Sequence, residues 1–208
     1  MFIAVSQRIT KLKKIKESRD SLDVRLTKLL FDCNLKPILI PNVLNSKKKL
    51  LNSLLTKLKL KGLVLTGGED FGKNKNRDET ELNLLNWALK NSLPILGICR
   101  GMQLIGKYNN VKLERISNHV KKYHAISNKS KIYKFDKKVN SYHEYRISKC
   151  PKGFQVSAIS NDNTIKAIES KKFKTLAIMW HPERNRKISK NDISNIKTLF
   201  KINEKKSY

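Results

Sequence analysis

A cysteine between two glycines is the strongest chemical feature of the sequence. The segment Gly97-Ile98-Cys99-Arg100-Gly101 follows an apolar run and precedes residues with helical spacing. Small residues on both sides of a cysteine allow the sharp strand-to-helix turn of a nucleophile elbow. Such a turn places the sulfur at a helix N-terminus, where the helix dipole and free backbone N–H groups favour anions. The segment therefore predicts nucleophilic catalysis by Cys99.

A thiolate nucleophile needs a general base and a group that orients the base. One of the four histidines, His181, lies just after a predicted strand, in the sequence Trp180-His181-Pro182-Glu183. Glu183 can fold back to accept the second imidazole N–H, and the intervening proline stiffens that turn. Since the carboxyl ends of parallel strands meet at one sheet edge, we expect Cys99, His181 and Glu183 to form a catalytic triad.

Short apolar runs alternate with longer amphipathic segments along the chain, which predicts strands alternating with helices. This alternation indicates an α/β fold, with a mainly parallel open sheet and helices on both faces. The predicted strands are residues 2–6, 37–41, 63–66, 95–98 and 175–180. The predicted helices are residues 21–33, 46–60 and 78–90, with a closing helix at 189–202 capped by Ser189 or Asn191.

The pattern changes between residues 111 and 172, where short polar–apolar stretches predict a small antiparallel inset. We expect its strands at residues 131–135, 154–159 and 164–168, with turns at 152–153 and 161–163. A length of 208 residues fits one domain, so residues 1–208 are expected to form a single unit with a disordered, lysine-rich C-terminus.

The net charge is unusual, because 45 lysines and arginines against 17 acidic residues give +28. The 36 lysines are spread along the whole chain, as codon bias also produces, and no aromatic–basic RNA-binding motif is present. We therefore do not expect nucleic acid to be the main partner. A positive field would still steer an anionic small substrate towards the protein.

Several other classes are disfavoured. The apolar runs are much shorter than the ~20 residues of a membrane span, and no signal-peptide pattern is visible, which predicts a cytoplasmic protein. Cys33 is expected in the core, and Cys150 lies in a turn without a base. His119 and His124 are five residues apart with no third ligand in view, so no metal site is predicted. Thioester chemistry needs only water, so no cofactor is predicted.

At this point the sequence resembles the class I glutamine amidotransferase superfamily, through Gly-Ile-Cys-Arg-Gly-Met-Gln and Trp-His-Pro-Glu. Within it, the match is to the γ-glutamyl hydrolase branch (peptidase C26, γ-glutamyl-γ-aminobutyrate hydrolase type), for which Arg100 after the cysteine is typical. The resemblance covers residues 62–103 and 139–183 and implies a flavodoxin-like class I amidotransferase fold. Further matching segments are Leu65-Thr66-Gly67-Gly68-Glu69-Asp70, Arg77-Asp78-x-x-Glu81 and Val139-Asn140-Ser141-Tyr142-His143.

The resemblance implies a role for each matching residue. Cys99 would form a γ-glutamyl thioester, His181 would move protons, and Glu183 would fix the tautomer of His181. Backbone N–H groups of Gly68 and Arg100 would form the oxyanion hole. The residues expected to hold the glutamyl group are Gln103, Ser141, Tyr142 and His143. Structural roles are expected for Asp70, Arg77, Asp78 and Glu81.

The first loop bears on the leaving group. Arg8 follows the first predicted strand at the ligand-binding edge, where a guanidinium suits phosphate. An alternative is that Arg8 and Arg19 pair with Asp20 or Asp23 at the surface. The compact chain, its Ser6-Gln7-Arg8 loop and its Asn-His segment resemble the γ-glutamyl-CDP-amidate hydrolases of surface-polysaccharide (capsule) phosphoramidate pathways. That group releases glutamate and cytidine diphosphoramidate.

Three other functions remain open. The chain could hydrolyse γ-glutamyl-γ-aminobutyrate or another γ-glutamyl amine. It could be a glutaminase subunit that delivers ammonia to a synthetase partner, although Arg100 disfavours this. It could also be a non-catalytic binding protein on the same scaffold, which the intact Cys99, His181 and Glu183 oppose.

Overall fold

A nine-stranded mixed sheet forms the centre of the computed structural model, which describes residues 1–44 and 48–202. The strands are β1 (Phe2–Val5), β2 (Arg8–Leu12), β3 (Glu17–Ser21), β4 (Lys36–Leu39), β5 (Leu63–Leu65), β6 (Ile95–Ile98), β7 (Leu113–Arg115), β8 (Val120–Asn128), β9 (Lys138–Tyr142), β10 (Tyr145–Ile147), β11 (Gln155–Ser160), β12 (Ile165–Ser170) and β13 (Thr175–Ile178). The sheet order is β4-β1-β5-β6-β13-β12-β11-β8-β9. Strands β2 and β3 form a separate hairpin, and β7 pairs with β10.

The first five strands in this order are parallel, and they carry the predicted core. β5, β6 and β13 are buried along their whole length, because helices cover both faces of this part of the sheet. Each predicted parallel strand is present, and its bounds lie within two residues of the expected ones. The α/β class predicted from the alternating pattern is confirmed.

Helices flank the parallel strands on both faces. They are α1 (Val24–Asp32), α2 (Lys48–Lys57), α3 (Lys75–Lys90), α4 (Arg100–Tyr108) and α5 (Lys190–Leu199). Right-handed crossovers place α1 on one face, and α2 and α3 on the other. Helix α5 shares the face of α1, since the Cys33 Sγ lies 3.9 Å from the Ile193 carbonyl oxygen, whereas α4 packs on α3. Cys33 is fully buried, as expected.

The helix ends follow from local capping. Asp23 accepts a hydrogen bond from the Arg25 N–H and starts α1 three residues later than predicted, because Ser21 still belongs to β3. Asn74 caps α3, which therefore begins before the predicted residue 78. Ser189 caps α5, one of the two predicted candidates. The start of the helix predicted at 46–60, and the C-terminal residues from 203 onwards, lie outside the described residues.

The predicted antiparallel inset is a direct extension of the central sheet, because β12 pairs with β13. The strand predicted at residues 131–135 is wrong. Side chains, rather than a strand ladder, satisfy its backbone: Ser130 Oγ accepts from the Ile132 and Tyr133 N–H groups. Asn195 bonds both the N–H and the carbonyl of Lys134. None of the helices in the described parts of the chain is long and apolar enough to cross a membrane.

Candidate active site

Cys99 occupies a strained turn between β6 and α4. Its φ of 51° and ψ of −101° lie in a region that residues with a Cβ rarely adopt, as expected for a nucleophile elbow. Gly101 is required by packing, because a Cβ there would lie 2.3 Å from the Leu65 carbonyl oxygen. A Cβ at Gly97 would lie 2.9 Å from Ile105 of α4. The two glycines therefore let the helix start directly against the sheet.

The carboxyl ends of the parallel strands converge on this turn. Gly67 and Gly68 follow β5, Cys99 follows β6, and His181 lies three residues beyond β13. Strands β6 and β13 are direct neighbours, and the Cys99 N–H donates to the Ile178 carbonyl oxygen at 2.7 Å. The sheet topology thus brings Cys99 and His181 to one edge, as the sequence predicted.

His181 and Glu183 form a buried pair, with 2.7 Å between Nδ1 and Oε1. The exposed fractions of the two residues are only 2% and 4%. Burial alone would lower the pKa of His181, but the Cys99 sulfur and the Glu183 carboxylate outweigh it and raise that pKa to about 9. An imidazolium stabilised by both a sulfur and a carboxylate is the electrostatic arrangement that an activated cysteine needs.

Two residues that carried no assigned role in the sequence fix His181. Asn140 of β9 accepts a hydrogen bond from the His181 N–H at 2.9 Å and donates to its carbonyl oxygen at 2.7 Å. Gly67 lies against the imidazole, since a Cβ there would be 2.4 Å from the ring Cε1. Asn140 could have been found in the sequence, because it lies inside the matching Val-Asn-Ser-x-His segment.

The expected oxyanion hole is framed by Gly68 and Arg100. Gly68 has a φ of +142°, and a Cβ there would lie 2.3 Å from Nη1 of Arg77, so only glycine fits. Arg100 is the first residue of α4, where backbone N–H groups have no partner within the helix. Arg100 directly follows Cys99, and Gly68 follows β5, the strand that neighbours β6. Their function as an oxyanion hole remains a prediction.

The side chains of Arg77 and Arg100 hold the loop after β5 through a buried ion network. Arg77 pairs with Glu69 at 2.6 Å and with Glu81 at 3.0 Å, and it donates to the carbonyls of residues 66 and 67. Arg100 pairs with Asp78 and Glu81. Burial and the neighbouring Arg77 lower the pKa of Arg100 to about 10. The network fixes Gly67 and Gly68 at the sheet edge, with Gly67 against the His181 ring, a structural role of the kind expected for Arg77, Asp78 and Glu81.

Of the residues expected to hold a glutamyl group, Tyr142 contacts His181, whereas Gln103, Ser141 and His143 bond to other parts of the protein. Tyr142 lies edge-on to His181, with ring centroids 5.9 Å apart. Gln103 is buried and donates to the Tyr145 carbonyl at 2.9 Å, which ties α4 to β10. Ser141 and His143 point away from Tyr142 and bond to the buried Lys166. Their contact with a substrate remains a prediction.

A cavity of about 270 Å³ opens beside His181. Arg8 lies in its wall next to Gly68, and Arg184, which the sequence analysis missed, lies 4.7 Å over the Tyr142 ring. The Arg184 Nε is buried without a hydrogen-bond partner among the described residues. The remaining wall residues are Thr10, Ser21, Leu22, Asp23, Leu26, Thr66, Gly67, His181 and Glu183.

The alternative in which Arg8 and Arg19 pair with Asp20 or Asp23 is wrong. Arg19 pairs with Glu17 at 2.6 Å, whereas Asp23 pairs with Arg25. Within the described residues Arg8 forms no ion pair, which leaves its guanidinium free at the cavity. The sequence predicts a loop where the structure has the β2–β3 hairpin that carries Arg8, because these strands show no apolar alternation and lie outside the main sheet.

The view that His119 and His124 lack a third ligand group is wrong, because Asp162 joins them. Ligand atoms of these three residues lie within 4.8 Å of one another. The His119 Nδ1 accepts from Lys166 at 2.9 Å, so its Nε2 carries the proton given to Asp162 at 2.7 Å. An imidazole bonded in this way has no lone pair left for a metal. The cluster is therefore a hydrogen-bonded unit in this arrangement.

Comparison with known proteins places this geometry in a family. Residues 3–183 match the peptidase C26 family. The γ-glutamyl-CDP-amidate hydrolase of Campylobacter jejuni is 30% identical over 205 residues, which cover 96% of each chain. The glutamine-hydrolyzing GMP synthase of Petrotoga mobilis is 32% identical over 129 residues, 60% of this chain and 25% of the relative.

A crystal structure of a glutamine amidotransferase from Thermotoga maritima superposes with a TM-score of 0.64 at 16% identity, covering 94% of this chain and 82% of that one. This likeness confirms the amidotransferase fold that the motifs implied. The match over residues 3–183 and the full-length relative settle the family, and the chain belongs to the peptidase C26 family.

Proposed function

We propose that this chain hydrolyses a γ-glutamyl amide through a thioester on Cys99. The observation that carries the proposal is the geometry of Cys99, which lies at a helix N-terminus at the sheet edge that also holds the buried His181–Glu183 pair. The most specific substrate we propose is γ-glutamyl-CDP-amidate, split into glutamate and cytidine diphosphoramidate. The full-length similarity to the Campylobacter jejuni hydrolase supports this choice.

In the first half of the reaction, the Cys99 proton passes to His181 and the sulfur attacks the γ-carbonyl carbon. The tetrahedral intermediate carries a negative oxygen, which the N–H groups of Gly68 and Arg100 would stabilise. Removing one such donor typically costs about 10²–10³-fold in rate. The imidazolium of His181 then gives its proton to the leaving nitrogen as the C–N bond breaks.

In the second half, water replaces the leaving group. His181, now neutral, takes a proton from water as the hydroxide attacks the thioester, and the sulfur leaves as a thiolate that is reprotonated from the imidazolium. Throughout the reaction the Nδ1 of His181 keeps its proton and donates it in a hydrogen bond to Glu183. The carboxylate of Glu183 stabilises the imidazolium each time it forms. The sum is one γ-glutamyl amide plus water giving glutamate and the free nitrogen compound, with no cofactor.

The cavity beside His181 supports an anionic leaving group. Arg8 and Arg184 both line it, and guanidinium groups bind phosphate oxygens in paired hydrogen bonds. A pyrophosphate attached to the departing nitrogen would lie next to His181 and within reach of both side chains. A small aliphatic amine such as γ-aminobutyrate carries only one carboxylate, which would occupy one guanidinium group, whereas a pyrophosphate can bind two.

A second candidate is glutamine hydrolysis that supplies ammonia to a synthetase. The similarity of part of the chain to a glutamine-hydrolyzing GMP synthase favours it. This function would require a synthetase partner and would show weak activity in its absence. We propose instead that the protein acts alone on a small γ-glutamyl substrate, with nucleic acid not its main partner.

Glutamate release from three substrates at equal concentration tests the proposal: γ-glutamyl-CDP-amidate, γ-glutamyl-γ-aminobutyrate and glutamine. We expect the nucleotide to be turned over best. Arg8→Met should raise its KM about tenfold or more while leaving the kinetics with γ-glutamyl-γ-aminobutyrate within twofold. Arg19→Met, on the same hairpin but outside the cavity, is the matched control and should behave as wild type.

The other outcomes are informative in different ways. Preference for γ-glutamyl-γ-aminobutyrate would keep the thioester mechanism and reject the nucleotide. Turnover of glutamine alone would favour the ammonia-supplying function. Absence of turnover for all three substrates would reject the hydrolase and favour a binding protein on this scaffold.

A further inference from the structure

Lys166 is a fully buried lysine in β12 to which the proposed mechanism gives no role. Its Nζ lies 2.9 Å from the His119 Nδ1, 3.1 Å from the His143 Nε2 and 3.2 Å from the Ser141 Oγ. An ammonium group has three protons, and this cluster offers three acceptors. Buried lysines are rare unless paired, so a site that satisfies all three protons is built rather than incidental.

The two histidines are held in the tautomers that accept from Lys166. The His143 Nδ1 bonds the Tyr145 carbonyl at 3.0 Å and must be the protonated nitrogen, which leaves Nε2 free to accept. His119 is fixed in the opposite sense by Asp162. Burial, followed by the nearby Lys166, lowers the pKa of His143 to about 2. Both rings are therefore neutral acceptors, and the ammonium is the cation of the cluster.

The charged groups that face Lys166 come from several elements. Asp162, in the turn before β12, has a side chain 45% exposed and provides a partly solvated negative charge. The sheet brings Lys166 near Cys99, because the Met179 N–H donates to the Lys166 carbonyl oxygen at 2.8 Å and the Cys99 N–H donates to the preceding residue, Ile178, at 2.7 Å. On the other side, the His124 ring of β8 stacks on His119 with ring centroids 4.0 Å apart, and the charge of Arg146 in β10 also faces His119. Burial lowers the pKa of Lys166 to about 8, although Asp162 and the Cys99 sulfur act to raise it. The ammonium is thus present at neutral pH, in a dry environment where charges act over longer distances.

We propose that Lys166 is a positioning residue of the active site: its ammonium joins Ser141, His143 and His119 into one unit, and its charge stabilises negative charge at Cys99. The unit anchors the strand end on which Tyr142 packs against His181. The positive charge of Lys166 adds to the partial positive charge at the N-terminus of α4, which Cys99 precedes. The inference rests on the proposed function only in taking Cys99 as the nucleophile.

The test is the rate at which iodoacetamide alkylates Cys99, followed by mass spectrometry of the peptide that contains it. The other cysteines interfere little, because burial raises the pKa of Cys33 to about 12 and that of Cys150 to about 11. Lys166→Met removes the ammonium and keeps the aliphatic stem. Lys171→Met removes the same charge from an exposed turn and is the matched control.

At pH 6.5 we expect alkylation of Lys166→Met to be about tenfold slower than wild type, the effect of one pK unit in the electrostatic support of the anion. At pH 9.5 the two rates should converge, because Lys166 has then lost its proton. Lys171→Met should stay within twofold of wild type at both values. Equal rates for Lys166→Met and Lys171→Met at pH 6.5 would overturn the proposal.

A measurement on the wild-type sequence covers the case in which Lys166→Met does not fold. Coupling between two charges is reciprocal, so capping Cys99 as a neutral thioether should lower the pKa of Lys166. A titration of protein labelled with ¹⁵N-lysine, before and after alkylation, reports the buried Nζ. Identical titration curves would overturn the proposal. Both experiments need no substrate, so a failure of the proposed function, seen as no glutamate release by wild type, is distinguished from a failure of this inference.

Discussion

The side chain of Asn140 binds both main-chain polar groups of His181, at 2.9 Å to the N–H and 2.7 Å to the carbonyl oxygen. Asn140 belongs to β9, which lies four places from β13 in the sheet order. A residue on the antiparallel half of the sheet therefore sets the position of a residue at the end of the parallel half. A third bond, from Nδ2 to Asn185 Oδ1 at 2.8 Å, ties the far side of the same loop.

Asn140→Ala is expected to lower kcat about tenfold or more while changing KM less, because His181 loses its orientation and the cavity wall stays intact. The free energy of unfolding should fall by about 1–3 kcal/mol, since buried partners lose their bonds. Asn128→Ala removes two hydrogen bonds near residues 130–133, far from His181, and controls for stability alone. A kcat of Asn140→Ala equal to that of Asn128→Ala would contradict the positioning role.

Glu183→Gln should change both the rate and its pH dependence. In the proposed mechanism the imidazolium form of His181 protonates the leaving nitrogen. This form is lost as the pH rises through a pKa of about 9, so the wild-type kcat/KM should fall above pH 9. Glutamine keeps the shape but removes a negative charge that supports the imidazolium. We expect the high-pH decrease of kcat/KM to shift to lower pH by about one pH unit. We also expect kcat to fall roughly 10²–10⁴-fold. An unshifted limb in the pH profile would show that Glu183 does not tune His181.

Asp192 makes the stability of the protein depend on pH. Burial raises its pKa to about 7, although its bond from the Trp180 indole N–H opposes the rise. Between the unfolded value near 4 and the folded value near 7, the folded state binds more protons than the unfolded state, so stability falls as the pH increases. Ionisation of Asp192 alone should lower the free energy of unfolding by up to about 3 kcal/mol between pH 5 and pH 8.

Asp192→Asn retains the acceptor for Trp180 and removes the ionisation. Urea unfolding at pH 5 and pH 8 should therefore show a variant that gains stability relative to wild type at pH 8. The control is Asp136→Asn, which removes the charge of an exposed carboxyl group that accepts a hydrogen bond from Asn191, the neighbour of Asp192 in the chain. The same pH dependence in wild type and Asp192→Asn would mean that Asp192 ionises normally in the folded protein.

The parallel half of the fold was predictable because its strands are buried on both faces and read as continuous apolar runs. Ile95–Ile98 and Thr175–Ile178 are examples, and the residues at their ends then had to meet at one edge. The Cys99 turn was predictable because glycines flank it. Local chemistry alone specified these features.

The cluster around Lys166 and the β2–β3 hairpin were not predictable in this way. His119 and Asp162 are 43 residues apart, and only the pairing of β8, β9, β11 and β12 brings them together. The hairpin of Arg8 consists mainly of polar residues, so its alternation carries no hydrophobic signal. In both cases tertiary contacts decide the structure, and a single sequence contains no direct record of them.

Glutamate release by the purified protein and by Cys99→Ala, from the best of the three γ-glutamyl substrates, tests the central claim most directly. The account predicts that wild type turns the substrate over, that a γ-glutamyl adduct on the Cys99 peptide appears in rapidly quenched samples, and that Cys99→Ala shows neither. Glutamate release that persists in a correctly folded Cys99→Ala protein would contradict the assignment of Cys99 as the nucleophile.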